Sequence, residues 1–347
     1  MTEQKSTRKR KTWISVANVI SCFGVIVLHC NSAFWNYSGS RSWMVSNFIE
    51  TFFYFPVPIF FIISGVTLLN YRERYSTLDY FKKRIIRTLI PFLFWSVVSI
   101  VYRYCAGWQR ESIPDMIYGI LNAKYVGIYW FFIPLFSVYL SVPLLSAISD
   151  NLRKKVFAFT AAAAFVINAL LPTVSAVCKQ QHFENFTVSV AGGYIIFVLL
   201  GYLVDNTDLK PGWRAAIYCL AASGWLIHFA GTAILSAASG EIDYTFKGYT
   251  NFPAVMQAAG VAIALKNVNW EKLLGEKILR LINTLSQYSF GIYLIHYYII
   301  EQVPLRFGLD TASLYWRFLA PLPVFLICAA ICFTLSKVPV LKKTIGL

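Results

Sequence analysis

The residues in this sequence best suited to chemistry are two imidazoles set in apolar surroundings. His29 lies deep within Trp13 to Phe34, and His296 closes the run Tyr288-Ser289-Phe290-Gly291-Ile292-Tyr293-Leu294-Ile295-His296. An ionisable group inside a membrane segment is costly and marks a functional site by default. The competing reading is a histidine that bonds a neighbouring helix and serves packing. Under the first reading His29 is a general base, the role imidazole fills most often. At a rise of 1.5 Å per residue, His29 stands about 24 Å and His296 about 18 Å from the start of its own segment, so the two rings can share a depth. Tyr293 precedes His296 by three residues and shares its helical face.

Arg84 and Arg87 are also three apart, at the mouth of the segment that Pro91 opens. They read either as ordinary topogenic charge or as a fork of guanidinium donors for phosphates, which arginine suits through its bidentate geometry. Ser64-Gly65, at the end of Pro58 to Gly65, reads first as a small pair that lets helices approach closely. Trp130, in Tyr129-Trp130-Phe131, reads on its own as part of an interfacial aromatic belt.

The elements that must position these groups are membrane helices. Of 347 residues, 57% are hydrophobic and only 14% charged, far from the balance of a soluble domain. The net charge of +15 sits in short clusters between apolar runs, as in cytoplasmic loops, so a nucleic-acid partner is not expected. Seven cysteines show no C-x-x-C pair and lie mostly in apolar segments, which argues against a metal site or a disulfide frame.

Polar breaks divide the chain into about ten spans: 13–34, 48–69, 86–106, 128–148, 156–175, 191–204, 215–237, 251–266, 284–304 and 315–336. Each is near the ~20 residues a bilayer requires, although the sixth and eighth are short. Lys and Arg collect in alternate loops, from Lys5 to Lys11, through Arg72 to Arg87, Arg153 to Lys155, Lys210 and Arg214, and Lys266 to Arg280, to Lys337 to Lys343. That alternation predicts an all-α integral membrane protein with both termini cytoplasmic. One polytopic domain is expected over 1–347, with a basic tail at 1–12 and a short tail at 337–347. No period-2 alternation suggests a barrel.

Taken together and in order, His29, Phe60-Phe61-Ile62-Ile63-Ser64-Gly65, Arg84-x-x-Arg87 with Pro91, Trp130-Phe131 and Ser289 to His296 resemble the membrane acyltransferase 3 family. This is a family of bacterial O-acyltransferases that includes O-acetyltransferases of surface glycans. The resemblance covers nearly the whole chain. The family has an arginine where this chain has Asn18, and often an acidic residue where it has Ser15. Asn18 lies eleven steps before His29, about 16 Å and close to three turns, and so shares its face without supplying charge. Lys11 or Arg10 is a candidate replacement for the missing cation. Some members carry an extra hydrolase-like domain after the last span, which is not expected here.

The resemblance implies a multi-pass enzyme of the bacterial inner membrane. It would move an acyl group, expected to be acetyl from cytoplasmic acetyl-CoA, to a hydroxyl of an envelope polysaccharide or lipid-linked glycan. Acetyl-CoA is then a substrate, and no cofactor or metal is expected. The partners are acyl-CoA, the glycan acceptor and membrane lipids, and the oligomeric state is not written in the chain. Thioester chemistry needs phosphate anchoring, a base and oxyanion donors. Arg84 and Arg87, with Asn18, suit the first and His29 the second. Tyr293, Ser64 and His296 compete for the third, with Gly65 and Trp130 in support. The alternative is a transporter or flippase of a sugar or lipid-linked glycan, where intramembrane His and Tyr line a path without covalent chemistry.

Overall fold

The computed structural model of the chain describes residues 11–109, 111–182 and 185–347. Lys5, Arg8, Lys9 and Arg10 of the basic tail therefore lie outside the described residues. Regular structure among the described residues is entirely helical. Such a result follows from composition, because backbone polar groups in a bilayer must be satisfied within their own segment or in a closed barrel.

The chain opens with α1 Thr12–Cys30, α2 Arg41–Phe52, α3 Pro56–Leu68, α4 Thr77–Arg84 and α5 Ile90–Cys105. It continues with α6 Ile113–Leu121, α7 Phe132–Leu145, α8 Asp150–Ala164, α9 Leu171–Val177 and α10 Ile195–Asn206. The last helices are α11 Pro211–Ser239, α12 Phe252–Asn267, α13 Trp270–Phe307, α14 Leu314–Leu319 and α15 Pro321–Ser336. Proline stands in the first turn of α3, α11 and α12, where its missing N–H leaves no helical bond unmade.

Among the described residues, six stretches are long and apolar enough to cross a membrane: Thr12–Cys30, Arg41–Glu73, Thr77–Cys105, Gly127–Leu145, Asp150–Val177 and Pro211–Ser239. The expected sixth and eighth spans are the short helices α10, of 12 residues, and α12, of 16. Helix α10 is apolar all round because it is buried on most sides, with Ile195 to Leu199, Gly201, Tyr202 and Val204 enclosed.

Helix α1 is the axis of the bundle and packs against α3, α12, α13 and α15. Small residues permit the closest approaches. A Cβ on Gly65 would stand 2.1 Å from the carbonyl oxygen of Val198, and one on Gly201 2.1 Å from that of Ile62. Glycine at both places lets the backbones of α3 and α10 touch.

Three local features differ from the sequence reading. Helix α1 stops at Cys30 rather than running to 34, so His29 sits in its last turn. The loop at 107–127 contains α6, a nine-residue helix capped by Ser112 that turns Ile113, Ile117, Tyr118 and Leu121 outward. Its one-sided apolar face fits a helix lying in a membrane interface. Residues 337–347, expected as a tail, are folded: Leu341–Ile345 forms a 3-10 turn, Ile345 is fully buried, and the Trp95 indole donates to the Thr344 carbonyl at 2.9 Å.

Candidate active site

Two cavities open at opposite ends of α1. The larger, about 570 Å³, is lined by Asn18 of α1, Ser64 of α3, Arg84, Arg87, Tyr139 and Tyr293, with Arg74, Lys83 and Gly346 at its edge. Four of its lining side chains are cationic and, among the described residues, none is acidic.

The backbone that presents the arginines is not a plain α-helix. Residues Ile85–Leu89 form a π turn in which the Ile90 N–H bonds the Ile85 carbonyl. Pro91 lacks the N–H that would bond the Arg87 carbonyl, and π bulges recur at functional sites. Gly346, at φ +78°, packs so closely that a Cβ there would stand 2.7 Å from the Arg87 carbonyl oxygen. The Arg84 guanidinium lies 5.8 Å from the Tyr80 ring and 5.4 Å from that of Tyr139, and its buried Nε has no hydrogen-bond partner among the described residues. Neither Arg84 nor Arg87 pairs with a carboxylate among the described residues. Two arginines in one cavity, Arg84 of them on an aromatic shelf and neither with a counter-charge among the described residues, are arranged to receive an external anion.

The smaller cavity, about 260 Å³, holds His29 with Trp35, Glu50, Tyr54, Trp130, Lys247, Tyr249 and Tyr293. The Lys247 ammonium forms an ion pair with Glu50, and both side chains are almost wholly buried.

Tyr293 belongs to the walls of both cavities. Its hydroxyl donates to the carbonyl of Ile128, while the Tyr129 hydroxyl donates to the carbonyl of Leu294 at 2.9 Å. These reciprocal bonds tie α13 to the turn Gly127–Phe131 and hold the partition in place. Beside it, the rings of His29 and His296 stand 5.2 Å apart, and those of Tyr293 and His296 5.6 Å. His296 is fully buried, and its Nδ1 lies 2.7 Å from the Tyr293 carbonyl and 3.2 Å from that of Ile292. A carbonyl only accepts, so Nδ1 carries the proton and Nε2 is left as an acceptor. That Nε2 is buried with no hydrogen-bond partner among the described residues.

The family model described as an acyltransferase domain matches residues 11–338. The chain belongs to the membrane acyltransferase 3 family. Nodulation protein NolL of Mesorhizobium japonicum is similar to it, 23% identical over 127 residues, covering 37% of this chain and 33% of that protein. The match thus spans about a third of the relative's length. No solved structure matches the chain.

Within this acyltransferase fold the residues singled out in the sequence fall into three groups. Asn18, Ser64, Arg84, Arg87 and Tyr293 share the larger cavity, and His29, Trp130 and Tyr293 the smaller. His296 stands behind His29. Gly65 lines neither cavity, and its place against Val198 makes it a packing residue. Lys11, a candidate substitute for the cation missing at Asn18, is engaged with Asp205 instead. Arg74 and Lys83 line the larger cavity and are the cations nearest to that role. The sequence reading missed them, together with Glu50 and Lys247. For Glu50 a signal existed, since a carboxylate stood inside the expected span 48–69.

Proposed function

We propose that this protein is an O-acyltransferase that moves acetyl from acetyl-CoA to a hydroxyl of an envelope polysaccharide or lipid-linked glycan. It would do so from a ten-span fold in the bacterial inner membrane with both termini cytoplasmic. The larger cavity, on the side of the basic loops, receives the donor, with Arg84 and Arg87 gripping phosphate and Asn18 offering a neutral hydrogen bond further along. The smaller cavity receives the acceptor. The observation that carries the reading is the shared wall at Tyr293, with a cationic cavity on one side and His29 on the other.

The chemistry is a single displacement. His29 removes the acceptor hydroxyl proton as that oxygen attacks the thioester carbonyl carbon. The tetrahedral oxyanion then collapses, the C–S bond breaks, and the leaving thiolate takes the proton back from the imidazolium. The protons of all three candidate oxyanion donors rest on backbone carbonyls, and Tyr293 alone borders both cavities, so it serves by exchanging its bond to the Ile128 carbonyl for one to the oxyanion. Ser64 donates to the Phe60 carbonyl at 2.9 Å, and the proton of His296 is held on backbone.

Thiol release from acetyl-CoA by purified protein, measured with and without a glycan acceptor, tests the proposal. Acceptor-dependent release with ester formation supports it. Saccharide transport without thioester consumption assigns the same two cavities to a carrier and overturns it.

A further inference from the structure

The smaller cavity contains a set of groups that proton transfer does not require. Glu50, from α2, and Lys247, from the segment between α11 and α12, form an ion pair with side chains only 6% and 5% exposed. The Lys247 ammonium is also 4.5 Å from the Phe34 ring, 4.6 Å from Trp35 and 4.8 Å from Tyr54. Burying two charges costs more desolvation than most pairs recover, so such a pair is a poor stabiliser. Here it also borders the cavity that holds His29.

Next to it stands a stack of three rings. Tyr54 and Tyr249 lie 4.3 Å apart at 12°, and Tyr249 and Trp130 5.6 Å apart at 16°. All three, with His29, line the same cavity.

Resting on the acyl-transfer reading above, we infer that this is a subsite for one neutral pyranose ring, which presents its hydroxyl to His29. Stacked on one another, the three rings give the cavity an apolar wall that suits the CH groups of a pyranose, whose hydroxyls both donate and accept. Glu50 accepts from such hydroxyls and Lys247 donates to them, a matched pair for a vicinal diol. At about 260 Å³ the space lies just below the usual range for small-molecule pockets, which suits one sugar ring and not a disaccharide. The pair is neutral overall, so a carboxylate-bearing sugar gains no net attraction to offset the desolvation of its charge.

The test uses the purified full-length protein, methyl α-D-glucoside, galactoside and mannoside as probes, and methyl glucuronoside as the charged comparison. Saturation-transfer NMR reads binding without turnover, and thiol release from acetyl-CoA reads transfer. At least one neutral glycoside is expected to bind saturably through its CH protons, with the glucuronoside weaker. Tyr249→Leu should raise the glycoside Kd or acceptor KM about tenfold or more, the loss of one good contact, and leave donor KM unmoved. Tyr249→Phe, which keeps the ring, should lose less. Glu50→Gln with Lys247→Gln removes both charges together and so avoids a lone buried ion. It should weaken acceptor binding similarly and abolish the preference for neutral sugar. Saturable binding unchanged in these variants, glucuronoside binding as tight as the neutral sugars, or no saturable binding of any hexoside overturns the subsite. Absence of thioester consumption alongside saturable, variant-sensitive binding overturns the transferase reading and leaves the subsite standing.

Discussion

The imidazole rings of His29 and His296 stand 5.2 Å apart with their planes tilted by 42°, although the two residues are 267 positions apart in the chain. Packing of α1 on α13 creates the pair, and the backbone fixes one member, because the His296 Nδ1 bonds the Tyr293 carbonyl at 2.7 Å. On the proposed acyl-transfer reading, a pair in which one ring is held and the other borders a cavity divides the labour: His296 would position, and His29 would meet substrate.

His296→Gln should therefore lower kcat by about tenfold, a smaller loss than removal of a general base causes, with donor KM unchanged. A thermal unfolding midpoint near that of wild type separates positioning from a mere packing defect. A fall in donor affinity instead would place His296 in the larger cavity's function.

Arg84→Ala and Arg87→Ala should each raise donor KM by about ten- to a hundredfold, as expected for one charge-assisted hydrogen bond, while acceptor KM holds. Lysine at either position should rescue only in part, since it lacks the planar fork. Donor KM unmoved in normally inserted variants would make the pair topogenic.

Gly65→Ala should destabilise the bundle by about 1–3 kcal/mol through overpacking against Val198, and reduce the amount of folded protein rather than turnover per molecule. Thermal unfolding of the purified variant reads the first effect and active-fraction measurement the second. A stable variant with lost turnover would return Gly65 to the site.

Reporter fusions after Lys155 and after Lys343 should both give a cytoplasmic signal, because basic residues cluster in alternate loops. A periplasmic signal at either position breaks the ten-span arrangement.

The helical class was legible because long apolar runs leave backbone groups few ways to be satisfied, and the charge pattern marked the breaks between them. Asn18, Ser64, Arg84, Arg87 and Tyr293 were legible as separate motifs, and packing brings them to one cavity. What sequence concealed depends on contacts between distant segments. Lys247 lies in a loop, and only its meeting with Glu50 of α2 makes it part of a site. Gly65 was legible as one of a small pair that lets helices approach closely, and only its partner, the Val198 carbonyl, was hidden. The folded Leu341–Ile345 was hidden because a short charged terminus gives no periodicity, whereas its burial depends on Trp95 and the Arg87 carbonyl.

The central claim is that His29 transfers the proton, and the most direct measurement is acceptor acylation by His29→Gln in protein shown to be inserted and to bind acetyl-CoA. Loss of a positioned base predicts a fall of about 10²–10⁴-fold in transfer with donor binding intact. Retention of more than about a tenth of wild-type transfer, far above that range, would contradict the assignment and move the search for the base to His296.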